Sequence, residues 1–237
     1  MKNKRRFIIS LLTTFCFVGI IVTSLLIINW KKDVAINSKT QKSIEKYIEI
    51  DEQDEIEINF DELRKINSDT VGYLEVPNTN IKYVVVKGKD NSYYLNHNFN
   101  KKDNVAGWIF MDYNNKSDET DKNTVIYGHN TTDGSMFGSL SNLLDENIIK
   151  DQNNLIIKFV TDKGTKKYKI FSIYTTDPEE YYITTNFSER EFVDFKEKLK
   201  ERSMFKLEAN LDNKNIITLS TCQKHGVKRL AVHAVEI

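Results

Sequence analysis

Residues 7–30 form 24 consecutive uncharged positions dominated by Ile, Leu, Phe and Val. As a helix rising about 1.5 Å per residue, such a run crosses a bilayer core about 30 Å thick. Lys2, Lys4, Arg5 and Arg6 precede it, and Lys31 and Lys32 follow. The larger basic cluster at the terminus favours a cytoplasmic N-terminus and an extracellular remainder. A cleaved signal peptide is the competing reading, but the run exceeds a usual h-region, and Asn29-Trp30-Lys31-Lys32 offers no small-residue cleavage site. The expectation is a single-pass anchor in the cell membrane over residues 1–30.

What remains suffices for one globular domain of ordinary size. The 34 basic and 34 acidic residues of the whole chain cancel, which excludes the electrostatic footprint of a nucleic-acid binder. Residues 31–55 are polar and without the period of a packed element, so they read as an extracellular stalk ahead of a domain over 56–237. Phe60, Leu63 and Ile66 have helical spacing and suggest a first helix. Apolar runs at 71–76, 81–86, 124–127, 155–161, 167–174, 216–221 and 229–235 predict strands, making the domain mostly β. Asp162-Lys163-Gly164 predicts a hairpin between two of them. Helices are expected over 136–144 and 188–202. In the second, Ser188 and Glu191 match a capping box, and Phe192, Phe195 and Leu199 line one face.

Of two cysteines, Cys16 falls within the apolar run, which leaves Cys222 as the sole thiol of the outer domain. An unpaired thiol in that compartment is either buried and inert or used. Cys222 ends the apolar run 216–221, so a buried strand delivers it to a sheet edge. Arg229 opens the next strand after a short loop. If the two strands are adjacent and antiparallel, Arg229 stands opposite Cys222, with facing β-carbons about 5 Å apart. A guanidinium there favours a thiolate and stabilises an oxyanion; the bland alternative is a strand-end arginine paired with a surface acid.

A cysteine nucleophile needs one histidine as proton shuttle, and four are available. His129 follows Val125-Ile126-Tyr127-Gly128 and occupies the same kind of strand-end position as Cys222. His97 lies in an Asn-rich loop and His233 within the last strand, where packing roles are the ordinary explanation. His225, three residues beyond the thiol, is the competitor. His and Cys do not cluster at metal-ligand spacing, and neither a phosphate-cradling glycine loop nor a dinucleotide fingerprint is present, so no metal or cofactor is expected.

Together, Tyr127-Gly128-His129-Asn130, Asp133-Gly134-Ser135-Met136-Phe137-Gly138, Thr218-Leu219-Ser220-Thr221-Cys222 and Arg229-Leu230 resemble the sortases. Val71-Gly72-Tyr73, Asp90-Asn91-Ser92-Tyr93-Tyr94-Leu95 and the helix-bearing insertion before the final strands extend the likeness over 67–237 and point to class B. The resemblance implies an eight-stranded β-barrel with an N-terminal helix and a helical insertion before the last strands. It implies His129, Cys222 and Arg229 as the catalytic set. It further implies a cysteine transpeptidase that cleaves a C-terminal sorting motif of secreted proteins at a Thr carbonyl through a thioacyl enzyme. The protein would then be transferred to an amine of a peptidoglycan precursor or cross-bridge. By position in such proteins, Asn91, Leu95, Thr176, Tyr182, Ile183 and Ser220 are expected to contact the peptide. Two other readings share some of these features: a cell-wall cysteine hydrolase or peptidase, in which the Cys normally precedes the His, and a surface β adhesin in which Cys222 is structural.

Overall fold

The computed structural model describes residues 2–53, 55–116, 120–222 and 228–237, without the side chains at 2 and 222. Helix α1 (Lys2–Ile44) is unbroken. Its apolar side chains between 7 and 28 point outward, Phe7 70% and Phe15 78% exposed, as a helix solvated by lipid requires. By length and composition this helix is sufficient to cross a membrane.

Beyond residue 30 the helix continues, which corrects the expectation of an unpacked stalk over 31–55. Asn37, Thr40 and Ile44 are buried at intervals of three and four, one face of a helix. Two of the three are polar, so no apolar period marks them in the sequence. They dock through directed bonds. Asn104 Nδ2 donates to Asp33 O at 3.0 Å, Asn100 Nδ2 to Thr40 Oγ1 at 3.2 Å, and Gln41 Nε2 to Lys82 O at 2.8 Å. A small antiparallel hairpin, β1 (Ile48–Ile50) and β2 (Ile56–Ile58), completes the same stretch.

Helix α2 (Phe60–Ile66) is capped by Asn59, whose side chain accepts from Glu62 N, and buries Phe60 and Leu63 as their spacing predicts. The chain then forms β3 (Thr70–Glu75), β4 (Lys82–Val86), β5 (Phe110–Met111), β6 (Asn123–His129), α3 (Glu146–Ile149), β7 (Ile156–Thr161), β8 (Gly164–Thr176), α4 (Glu189–Glu201), β9 (Ile216–Cys222) and β10 (Arg229–Glu236). Eight strands close a barrel in the order β10-β8-β7-β3-β4-β5-β6-β9. The β4–β5 and β6–β9 pairs are parallel, and the remaining pairs are antiparallel. The β7–β8 hairpin turns where expected, with Gly164 at φ +112°.

Leu74, Val85, Ile126, Ile157, Leu219 and Val232 are fully enclosed in the main core. Each such side chain contributes about 1.5–3 kcal/mol by leaving water. A second apolar cluster lies between α4 and the barrel wall, where Phe192, Phe195 and Leu199 meet Phe171, Tyr174 and Ile216. The Ser188–Glu191 capping box starts α4 as predicted. Residues 136–144 differ from expectation: Met136 has φ +49°, and the turn that follows is a 3-10 helix over Gly138–Leu144. The apolar residues there, Leu140 and Leu143, repeat every three positions, which suits the tighter winding.

Candidate active site

Two strands running the same way end side by side at one rim. In the parallel β6–β9 ladder, seven consecutive pairs run from Asn123↔Ile216 to His129↔Cys222, so the last residues of both strands are register partners. Neighbouring strands lie about 4.8 Å apart. β10 runs back from the same rim, antiparallel to β9, with Ala231 opposite Ser220. That register, carried two residues further, sets the first residue of β10, Arg229, level with Cys222. On its other side Arg229 pairs with Thr176, the last residue of β8. The strands part at this end: Leu230 N donates to the Thr221 hydroxyl at 2.9 Å instead of to a carbonyl of β9.

His129 is half-buried, and its Nε2 meets Leu95 O at 2.7 Å. A carbonyl can only accept, so this contact places the proton of the neutral ring on Nε2 and leaves Nδ1 as the basic nitrogen. The backbone around the ring is closely packed. A β-carbon at Gly128 would lie 2.4 Å from Ile109 Cδ1 and 2.7 Å from Phe137 Cγ, so only glycine lets β6 approach that wall. The His129 carbonyl accepts from Thr131 N at 3.1 Å and Phe137 N at 2.9 Å, which folds the following loop back on the strand end.

Arg229 is half-buried and makes no ion pair among the described residues. Nearby acid is already engaged: Glu179 pairs with Arg202 and accepts from Thr176 Oγ1 at 2.6 Å. The Thr176 hydrogen bond and the Arg202 guanidinium hold the Glu179 carboxyl below its usual range. The competing histidine, His225, lies at 223–227, outside the described residues. His97 is held by Tyr93 O at 2.8 Å and stacked on the Tyr93 ring, and His233 is fully buried in the sheet; both have the packing roles expected.

Comparison with known proteins identifies the family. The family profile described as the sortase domain matches residues 74–237. Sortase B of Listeria monocytogenes is 40% identical over 172 residues, 71% of this chain and 68% of that protein. Sortase B of Staphylococcus aureus is 33% identical over 187 residues, 77% of this chain and 76% of that one.

The chain belongs to the sortase family.

Solved structures place it in class B. The sortase B of B. anthracis in complex with AAEK1 superposes with a TM-score of 0.77 at 36% identity, covering 87% of this chain and 98% of that one. A Staphylococcus aureus sortase B–substrate complex superposes with a TM-score of 0.75 at 31% identity, over 87% and 97% of the two chains. The protein is thus a sortase B-type cysteine transpeptidase built on the eight-stranded barrel the resemblance implied.

Within this sortase the six positions expected to meet a peptide divide by exposure. Leu95 and Ile183 are half-buried and present some surface. Asn91 donates to Asp112 at 2.8 Å and accepts from Tyr113 N at 3.0 Å, so its amide is committed to the turn that follows β5. Thr176 is 7% exposed and bonded to Glu179 and Arg202. Tyr182 and Ser220 are fully buried and bonded to each other at 2.9 Å. In this state these two offer a peptide no surface; they tie the segment after β8 to β9 and shape the wall behind the rim. Reasoning from sequence missed the two backbone elements that seat the imidazole, the Leu95 carbonyl and Gly107 at φ +60°. The lone glycine in Ala106-Gly107-Trp108 was the only signal for the second.

Proposed function

We propose that this sortase cleaves a C-terminal sorting motif of secreted proteins at a Thr carbonyl and transfers the new carboxyl terminus to a peptidoglycan amine. The Cys222 thiolate adds to the carbonyl carbon, and Arg229 donates to the resulting oxyanion. Protonated His129 gives its proton to the departing amine as the C–N bond breaks, leaving a thioester on Cys222. An incoming amine then attacks the thioester, His129 takes its proton, a new amide forms, and the thiolate departs. The chain is held in the cell membrane by α1, with its N-terminus in the cytoplasm and the barrel outside, facing both substrates.

The observation that carries this reading is the ladder pairing of residues 129 and 222 at the rim where β10 begins with Arg229. A surface adhesin has no use for a cysteine, a histidine and an arginine that makes no ion pair among the described residues, brought to one strand end. The test is a cleavage screen of a pentapeptide library with amine acceptors present, resolving hydrolysis from amine transfer. Amide-linked product from one narrow motif is expected. Hydrolysis alone, unaffected by any amine, would instead fit a cell-wall peptidase.

A further inference from the structure

The anchor helix α1 reaches the active site by a short chain of contacts. Asn37, 3% exposed, donates through Nδ2 to Gly107 O at 2.9 Å and to Asn104 Oδ1 at 3.2 Å. Gly107 in turn forms the floor under the histidine. A β-carbon built there would lie 2.5 Å from Tyr94 O, 3.0 Å from Leu95 O and 3.0 Å from His129 Cδ2. A side chain at this position would crowd the imidazole and the carbonyl that accepts from its Nε2, so the Gly107 backbone lies close beside both. A side-chain amide fixed on a helix is a strut for such a peptide, because its own backbone is held by regular structure. The same helix turn is secured to the loop by Asp33, whose carboxylate accepts from Val105 N at 2.9 Å.

We propose that Asn37 is a positioning residue for His129, so that the helix following the membrane span sets the orientation of the catalytic imidazole. This inference rests on the transpeptidase reading for the role of His129. Loss of the strut frees the 104–107 turn to shift, and the imidazole moves with the surface it rests on. Displacements well under an ångström degrade proton transfer while leaving peptide affinity untouched.

The test uses the full chain in detergent micelles with Cys16→Ser, so that Cys222 is the only thiol. Asn37→Leu, close in volume but without a donor, is compared with Thr40→Val. The latter removes a contact of the same helix to Asn100 without touching Gly107. Asn37→Leu is expected to lower kcat about tenfold with KM within about twofold, and to move the pH optimum by about half a unit or more. It should also slow iodoacetamide alkylation of Cys222 at neutral pH, and Thr40→Val should do none of these. If Asn37→Leu does not fold, Asn37→Ser, polar but too short to reach Gly107, takes its place. Wild-type kcat, pH profile and alkylation rate in the Asn37 variant would overturn the proposal. So would equal losses in Thr40→Val, which would reduce α1 to a general brace. Alkylation needs no peptide, so a wild-type protein that alkylates normally but transfers nothing would count against the transpeptidase reading and leave this inference to the thiol data.

Discussion

His129 and His233 lie on two strands of one barrel, β6 and β10, with β9 between them, and meet opposite fates. His129 ends β6 at the rim, half-exposed, with one nitrogen on a carbonyl. His233 sits mid-strand in β10, facing α4 with no exposed surface, its Nδ1 on Thr218 Oγ1 at 2.9 Å and its Nε2 on Tyr174 OH at 3.1 Å. Burial, with a smaller contribution from the Arg202 charge, pushes the His233 pKa down to about 3, so this ring stays neutral. Thr218 continues the chain by donating to Asn123 Oδ1 at 2.7 Å, and Asn123 Nδ2 donates to Thr184 O at 2.9 Å. The contrast shows that position along a strand, more than residue type, decides the role. The imidazole at the rim keeps some exposed surface, whereas the enclosed groups are satisfied by one another and hold the helical insertion to the wall.

The contrast breaks first at the rim. Cys222→Ala should abolish transpeptidation in the full chain, measured as amide product from sorting peptide and amine, while the thermal midpoint stays near the wild-type value. Measurable turnover would remove Cys222 from the chemistry. Arg229→Lys keeps the charge but loses the forked donor geometry, and a loss of about tenfold to a hundredfold in kcat is expected. Full turnover with lysine would reduce Arg229 to a strand-end cation.

Mid-strand effects should appear in stability instead. Between the ordinary histidine value of 6.5 and about 3, the unfolded chain takes up a proton at residue 233 that the folded chain refuses. The stabilisation is complete above 6.5 and erodes as pH falls toward 3, by at most about 1.4 kcal/mol per pH unit. Denaturant unfolding across that range should show the slope, and His233→Gln should flatten it; an unchanged slope would mean that other groups govern acid unfolding. The smallest effect concerns the α4 cap. Ser188→Ala removes the acceptor for Glu191 N and should cost about 1 kcal/mol in unfolding free energy with turnover unaltered.

The strands that build the rim were readable because apolar runs over 124–127 and 216–221 end abruptly at Gly128 and Cys222, and the adjacency of β9 and β10 follows from their short connection. Strand β5 was not readable, since Phe110 and Met111 alone show no period. The docked part of α1 was hidden because Asn37, Thr40 and Gln41 bind through one or two hydrogen bonds each, and composition alone makes them resemble a solvated linker. The seat of the imidazole was hidden for a related reason: it is backbone, the Leu95 carbonyl and the Gly107 peptide, and side-chain patterns carry no record of where a carbonyl points. Leu95 was singled out as a peptide contact, yet its clearest tie to the site is that carbonyl.

The most direct measurement is to trap the acyl enzyme. The full chain is mixed with its sorting peptide without an amine, quenched in acid, digested and analysed by mass spectrometry. A thioester adduct should form on the fragment containing Cys222 in wild type and accumulate far more slowly in His129→Ala. An adduct on another residue, or accumulation at the wild-type rate without the residue 129 imidazole, would contradict the account.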